Sequence, residues 1–488
     1  MQPLHLIKEW KRVLPTGYKV FRDKFLSLID KSLTMCIVDD IDMDGFGSAK
    51  IAYSKLKKYF RKCNIYINNQ HGFTDIEEAK KYDVILILDS SSNLLPLYKD
   101  LGTVFILDHH EYDHNIECPD NVFFINSKDT KELENISAGM LTYLVTSQLR
   151  EDIGEPDDSM FDIACATLYS DIVPTDDYVQ SCLYKLLHMT EFSSLISNLN
   201  IYRDNVNHNT LGYTIIPLIN YTRRLNDTQT LNLLYEGEEE AAMRKIVQNK
   251  SKGKNFLRLI ESGGKKGYVL PNKEIIIYNN FVYWDISQLV NRVPQYAIAN
   301  FKGVYANQLA KTYGKPALVG FNKDGQGSFS VRSPEVDSLA YFSTQSCIQG
   351  GGHKKACGFT FSTESICNVL SGYDDYLSCT KRIGSTGMEI RRIDDLAYFD
   401  LFDIAVLNEF RYSNYSPISF LLKISNTEKS FKNVDKVRGR FTVGIYSFYT
   451  YDYIPTEGSI IMEVIPTLSS FEYKSKNLLC RFREVNNE

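Results

Sequence analysis

Four apolar runs in the first third of the chain each end in acids, one of them together with histidines. Cys36-Ile37-Val38 leads into Asp39-Asp40-Ile41-Asp42-Met43-Asp44-Gly45, and the run from Val84 to Leu88 leads into Asp89. The run from Val104 to Leu107 leads into Asp108-His109-His110, and that from Ala166 to Ser170 into Asp171. A short β-favouring run that stops at a carboxylate reads as a buried parallel strand whose C-terminal tip carries a site. Carboxylates gathered this densely repel one another, and divalent cations remove that repulsion while using the geometry. The pattern predicts a metal-dependent phosphoester site.

Asp40, Asp42 and Asp44 alternate, and Gly45 and Gly47 imply a turn through which their side chains can converge on a metal. No Glu occupies the last position of a calcium loop and an apolar strand comes first, which favours a catalytic site over an EF-hand. In Asp108-His109-His110 one imidazole can ligate metal while the other faces a substrate phosphate. Mixed carboxylate and imidazole ligands suit Mn²⁺, then Mg²⁺, ahead of Zn²⁺. Gly350-Gly351-Gly352-His353-Lys354-Lys355 offers bare amides, an imidazole and ammonium groups, either as an anion cradle or as a flexible turn. Ser328, Arg332 and Ser333 can add hydroxyl and guanidinium contacts to the same phosphate.

An α/β scaffold must position these groups. Strands are expected at Leu33–Val38, Ile65–Ile67, Val84–Leu88, Val104–Leu107 and Val122–Ile125, with helical spacing through Ala138–Leu149 and Met160–Tyr169. That alternation predicts a mainly parallel sheet with ligands outside its carboxyl ends. Four units follow: a catalytic domain over 1–227, a helical connector over 228–264, a second α/β domain over 265–380 and a β-rich module over 381–488. Strand-like runs in the second domain are Ile275–Tyr278, Ala317–Phe321 and Cys357–Phe361, with a helix through Ala297–Tyr313. The last module carries Ile418–Ile424, Gly439–Tyr449, Ser459–Ile465 and Asn477–Phe482. Its aromatics from Tyr446 to Tyr451 are either core residues or base-stacking platforms of an OB-like fold.

The 488 residues are 43% hydrophobic and 24% charged, the balance of a globular protein. No membrane span or secretory segment is expected, and ten scattered cysteines without a CxxC pair read as thiols of a reducing cytoplasm. The net charge of −5 argues mildly against nucleic acid, but three basic clusters remain. They are Lys55, Lys57, Lys58, Arg61 and Lys62; Arg244, Lys245, Lys250, Lys252, Lys254 and Arg258; and Lys429, Lys432, Lys436, Arg438 and Arg440. Each reads as a solvated face or as part of a track for a phosphate backbone.

These motifs, in this order, resemble the DHH phosphoesterase superfamily: Asp40-x-Asp42-x-Asp44-Gly45, Asp89, Asp108-His109-His110 and Asp171-Ile172-Val173-Pro174. The Gly350–His353 run is similar to the glycine–histidine motif of the associated DHHA1 domain. Within the superfamily the chain looks most like the RecJ branch, the 5′→3′ exonucleases of single-stranded DNA. Pro217-Leu218-Ile219-Asn220 with Arg224-Leu225 carries that likeness, as do Ser137-Ala138-Gly139, Gly303-Val304-Tyr305-Ala306, Gly314-Lys315-Pro316 and Ser328-x-x-x-Arg332-Ser333. Val38 stands where many members have a metal-binding histidine, so Asp40 is expected in that role.

The resemblance implies two divalent cations. Asp42 and Asp40 would hold one; Asp44, His109 and Asp171 the other; Asp89 would bridge. His110 would contact the scissile phosphate and Asp108 would orient the histidines. Asn220, Arg224, Ser328, Arg332, Ser333, Gly351, Gly352 and His353 would hold substrate. The implied partner is single-stranded nucleic acid, DNA before RNA, for a monomer that works beside a single-strand-binding protein or helicase. The alternatives are a phosphodiesterase of short oligonucleotides, cyclic dinucleotides or 3′-phosphoadenosine 5′-phosphate, and a silent DNA-binding scaffold.

Overall fold

The protein is described here as a computed structural model. The structure describes residues 9–29, 32–68, 72–171, 173–174, 176–203, 206, 210–261, 275–287, 295–323, 325–333, 336–345, 347–362, 364, 366–380, 390–392, 420–424, 439–443, 446–450, 459–465 and 477–486. Its first sheet is made of β1 (Thr34–Val38), β2 (Lys62–Tyr66), β3 (Val84–Leu88), β4 (Thr103–Asp108) and β5 (Val122–Asn126). All pairs are parallel, in the order β2-β1-β3-β4-β5. Every residue of β3 is buried, because a parallel sheet is covered on both faces. Alternate side chains feed two cores: Met35, Ile37, Leu86 and Phe105 on one face, Cys36, Val38, Ile87 and Ile106 on the other.

The strand order reverses between β1 and β3, which makes their carboxyl ends a topological switch point. Register does the rest. Val38 pairs with Ile87 and Leu88 with Leu107, so the strand ends level off and the acids that follow them emerge together.

The fourth apolar run departs from the strand reading. Ala166–Ser170 belongs to a helix, Phe161–Asp171, as the spacing from Met160 allows. This helix packs against the helices Met43–Leu56 and Ala138–Asp152 at one crowded point. A Cβ on Gly47 or on Gly139 would lie 2.4 Å from the Thr167 side chain. Small residues there let the helices approach, and this delivers Asp171 at the last turn to the strand tips.

Two helices, Thr228–Glu236 and Glu239–Glu261, occupy the connector and break at Gly237, whose φ is 84°. The second sheet runs β10-β11-β9-β8-β7-β6, where β6 is Ile275–Ile277, β7 Val282–Asp285, β8 Ala317–Lys323, β9 Gln326–Arg332, β10 Ile348–His353 and β11 Ala356–Ser362. The helix Gln295–Tyr313 packs on β8 and β9. The glycine run is strand β10 rather than a turn. A Cβ on Gly350 would lie 2.1 Å from the Gly358 carbonyl oxygen of β11, whereas one on Gly351 would meet nothing within 4 Å. Glycine at 350 is therefore needed for close pairing, while the side-chain direction at Gly351 is open.

A third sheet has the order β12-β13-β16-β17-β15-β14, from β12 (Ile390–Arg392), β13 (Phe420–Ile424), β14 (Gly439–Val443), β15 (Tyr446–Thr450), β16 (Ser459–Ile465) and β17 (Asn477–Asn486). The run expected as one strand over Gly439–Tyr449 is the antiparallel pair β14–β15. The aromatic side chains of residues 446–451, and the basic ones of residues 429–440, lie outside the described residues. Among the described residues no helix is long and apolar enough to cross a membrane.

Three of the five residues of the first basic cluster pair with acids, while Arg61 and Lys62 are exposed. Lys55 is fully buried against Asp157, Lys58 pairs with Glu155, and Lys57 sits 3.5 Å from Glu236. Lys55 is thereby removed from any phosphate track, whereas Arg244, Lys245, Lys252 and Lys254 are exposed on the connector.

Candidate metal centre

His109 stands at the middle of the strand tips. Its Nδ1 lies 3.0 Å from the Ile136 carbonyl oxygen. A carbonyl only accepts, so Nδ1 carries the proton and Nε2 is turned the other way. Nε2 faces three carboxylates: Asp171 at 3.0 Å, Asp89 at 3.2 Å and Asp44 at 3.5 Å. A backbone acceptor behind the ring that leaves the second nitrogen for carboxylates is the arrangement of a metal-ligating histidine.

The three carboxylates are placed in different ways. Asp44 accepts the amides of Ala138 (2.8 Å) and Gly139 (2.7 Å) at a helix N-terminus, which favours an anion. Asp171 ends its helix, where the dipole disfavours one. Asp89 has φ 61°, the left-handed region, while its amide donates to the Leu107 carbonyl at 2.9 Å. Burial raises the Asp44 and Asp89 carboxyls well above the usual range, and the neighbouring carboxylates, Asp171 for Asp44 and Asp44 for Asp89, raise them further. Burial lowers His109, but the charge and hydrogen bond of Asp171, with Asp44 and Asp108, outweigh it and hold the ring up at about 9.

Two groups of donor atoms each fall within 4.8 Å: Asp44, His109 and Asp171, and Asp89, His109 and His110. Oxygen donors mixed with imidazole, compressed against their own repulsion, fit divalent cations of the Mn²⁺ and Mg²⁺ kind. Asp42 and Asp40 stand outside both groups. Asp42 is the N-cap of the helix Met43–Leu56 and accepts the Asp44 amide at 2.9 Å. Asp40 is 2% exposed beside that loop.

Asp108 faces away from the cluster and works from behind. Its Oδ1 accepts His109 N at 2.7 Å, His110 N at 3.2 Å and His110 Nδ1 at 2.7 Å, and its Oδ2 accepts Ser92 N at 3.0 Å and Ser92 Oγ at 2.5 Å. Burial would raise the Asp108 carboxyl, but His110, then His109 and Ser92, hold it far below the usual range. It is a positioning residue that fixes the His110 ring and the backbone of His109.

Cations gather where the two lobes meet, Arg224 from the first lobe and Arg332 from the second. Arg224 and Arg332 are half-buried, and both feel the charge of Asp42 and of each other. Lys302, which motif reasoning missed, donates to Ser328 Oγ. Its ammonium is lowered to about 8 by burial and then by Arg332. Its signal is visible only in three dimensions, because it comes from another element. A Cβ on Gly303 would lie 2.7 Å from Arg332 Nη2, so this glycine makes room for the guanidinium. Lys354, in the β10–β11 turn, reaches Glu111 of the first lobe at 3.8 Å, next to His110.

Ser333 is fully buried, its amide bonded to the Lys355 carbonyl, which places it inside the second lobe and not on the cleft. Asn220 lies on the helix Ile216–Arg224. Gly351 and Gly352 lie on β10, and the His353 side chain lies outside the described residues.

Residues 34–168 match the DHH family, N-terminal domain. Among solved structures the chain resembles RecJ of Thermus thermophilus in complex with Mn²⁺, with TM-score 0.71 and 15% identity over 94% of this chain and 70% of that one. The Mg²⁺ complex of the same protein gives TM-score 0.65 and 14% identity over 93% and 68%. An exonuclease RecJ bound to manganese gives TM-score 0.56 and 16% identity over 76% and 97%. At these identities the likeness is one of fold. No curated protein matches the chain.

Proposed function

We propose that this chain, whose residues 34–168 match the DHH family and whose fold resembles that of RecJ, is a metal-dependent exonuclease of single-stranded DNA that works 5′→3′. The observation that carries the reading is a buried acid–histidine cluster whose neighbouring loop acid, Asp42, lies within electrostatic reach of Arg224 and Arg332, with Lys302 next to Arg332 in turn. Such a pairing suits a phosphodiester, whose phosphate needs cations on every side.

In this reading Asp44, His109 and Asp171 would hold one divalent cation and Asp42 and Asp40 a second, with Asp89 available to both. When bound, such ions supply water activation near neutral pH and neutralise charge on the phosphoryl oxygens. The protein's own groups then position the strand. His110, with its ring fixed by Asp108, points a nitrogen at the scissile phosphate. Arg332, Arg224, Lys302 and the backbone of Gly351 hold neighbouring phosphates, and fixing the reacting groups in this way can lower a barrier by up to about 7–11 kcal/mol in ideal cases.

Digestion of end-labelled single-stranded DNA and RNA with Mn²⁺ and with Mg²⁺ tests the reading. Release of mononucleotides from the 5′ end of long DNA is expected. Hydrolysis confined to short oligonucleotides or cyclic dinucleotides would replace the polymer substrate with those. Lys302 adds a pH signature. With its ammonium at about 8, it is charged below that pH and neutral above, so its phosphate contact is present at pH 7 and lost as pH rises through 8. The KM for single-stranded DNA is expected to rise several-fold between pH 7.5 and 9, and Lys302→Arg to flatten that rise. A wild-type KM independent of pH over this interval would remove Lys302 from the substrate contacts.

A further inference from the structure

Beneath the metal loop lies a buried ion pair that the reaction does not use. Asp39, which is fully buried, accepts Asn68 N at 2.8 Å, Arg223 Nη1 at 3.0 Å and Tyr235 OH at 2.5 Å. Arg223 is 6% exposed, and its Nη2 donates to the Asp40 carbonyl oxygen and, at 2.8 Å, to that of Asn68. One guanidinium therefore ties together the chain leaving β1 and the chain leaving β2. The Asp40 backbone is pressed from the other side by Gly45, where a Cβ would lie 2.4 Å from Asp40 N.

A buried pair of this kind contributes little net stability, because desolvation of both ions offsets their attraction, while removal of one partner leaves a bare charge. Its geometry is the better account of it. Arg223 and Tyr235 come from the two helices that bracket the start of the connector, Ile216–Arg224 and Thr228–Glu236. The next residue, Arg224, gives its carbonyl to Asn300 Nδ2 at 2.8 Å and holds its guanidinium 5.9 Å from the Phe301 ring, both on the helix Gln295–Tyr313 of the second lobe. Two adjacent arginines thus grip opposite partners, Arg223 the metal loop and Arg224 the second lobe.

We propose that Arg223 is a positioning residue: it sets the Asp40 backbone, and with it one metal position, in register with the connector that carries the substrate-holding lobe. The inference rests on the reading that Asp40 helps hold a cation. The test is Mn²⁺ binding to the full chain, followed by electron paramagnetic resonance of free Mn²⁺ and by calorimetry, with circular dichroism to verify folding. Arg223→Lys keeps a charge but cannot serve the Asp39 carboxylate and both carbonyls at once. It is expected to weaken one Mn²⁺ position about tenfold or more and to leave the other unchanged, as loss of a group supporting a ligand does. A purely structural role would lower the melting temperature and leave both affinities as in the wild type, and that result overturns the proposal. Should Arg223→Lys fail to fold, Tyr235→Phe replaces it, with about threefold weakening expected and unchanged affinity overturning the idea. Asp40→Ala separates the two layers. If it leaves Mn²⁺ binding intact, the metal reading of Asp40 falls; if it weakens one position while Arg223→Lys does not, only the role of Arg223 falls.

Discussion

Asp89→Asn is expected to lower Mn²⁺-dependent hydrolysis of single-stranded DNA by about 1,000-fold or more, a loss of about 4 kcal/mol of transition-state stabilisation. The same change is expected to make the metal-free protein more stable. Asp89 contributes one of three carboxylates that crowd His109 Nε2 within 3.5 Å, and burial and repulsion hold it well above the usual range. Asparagine removes the charge, keeps the shape, and tolerates the left-handed backbone at φ 61° as aspartate does. Relief of that repulsion is expected to add about 1–2 kcal/mol in EDTA. Calorimetric melting with EDTA and with Mn²⁺ checks both halves: Mn²⁺ should raise the wild-type transition strongly and that of the variant little. Near-normal hydrolysis by Asp89→Asn would refute the placement of Asp89 between the cations.

Gly45→Ala is expected to cost both fold and activity. The added methyl would lie 2.4, 2.6 and 2.7 Å from the N, Cα and C atoms of Asp40. These are backbone atoms that cannot rotate away, and overpacking of this kind costs about 1–3 kcal/mol. The loop is also pinned on its far side by Arg223, so it cannot yield without moving Asp40. Loss of hydrolysis together with a melting temperature several degrees lower is expected. Gly351→Ala is the contrast, since its methyl would meet nothing within 4 Å. It should melt as the wild type does and show only a higher KM. Equal stability of Gly45→Ala and wild type would mean that the loop is not held as described.

The strand tips were legible because β1, β3 and β4 are short, apolar and buried on both faces, so the first acid after each run marks its end. Asp171 was harder. Its helix is buried almost all the way round, and an apolar stretch without a polar face shows no clear period, so strand and helix read alike. The glycine run could not be told from a turn, because its use is the approach of β11, a partner that sequence spacing does not reveal. Asp39 looked like one more acid of the comb, yet it faces inward to an arginine 184 positions away. Lys55 and Lys58 looked basic and are paired with acids about a hundred positions later. Local text carries the strand ends; long-range pairing decides which charges stay free to act.

The junction at Thr167 has a consequence for the order of synthesis. Ser137 Oγ meets Thr167 Oγ1 at 2.8 Å, and Gly47 and Gly139 close on the same side chain, so the last carboxylate reaches the cluster only when three helices have docked. A chain leaving the ribosome through residue 130 already carries Asp44, Asp89 and His109 but lacks both the Ala138–Gly139 amides that anchor Asp44 and Asp171 itself. Nascent chains of that length have no assembled cage for a cation. If this cluster holds a cation as proposed, its loading would be a late event, coupled to the completed domain rather than to its emerging strands.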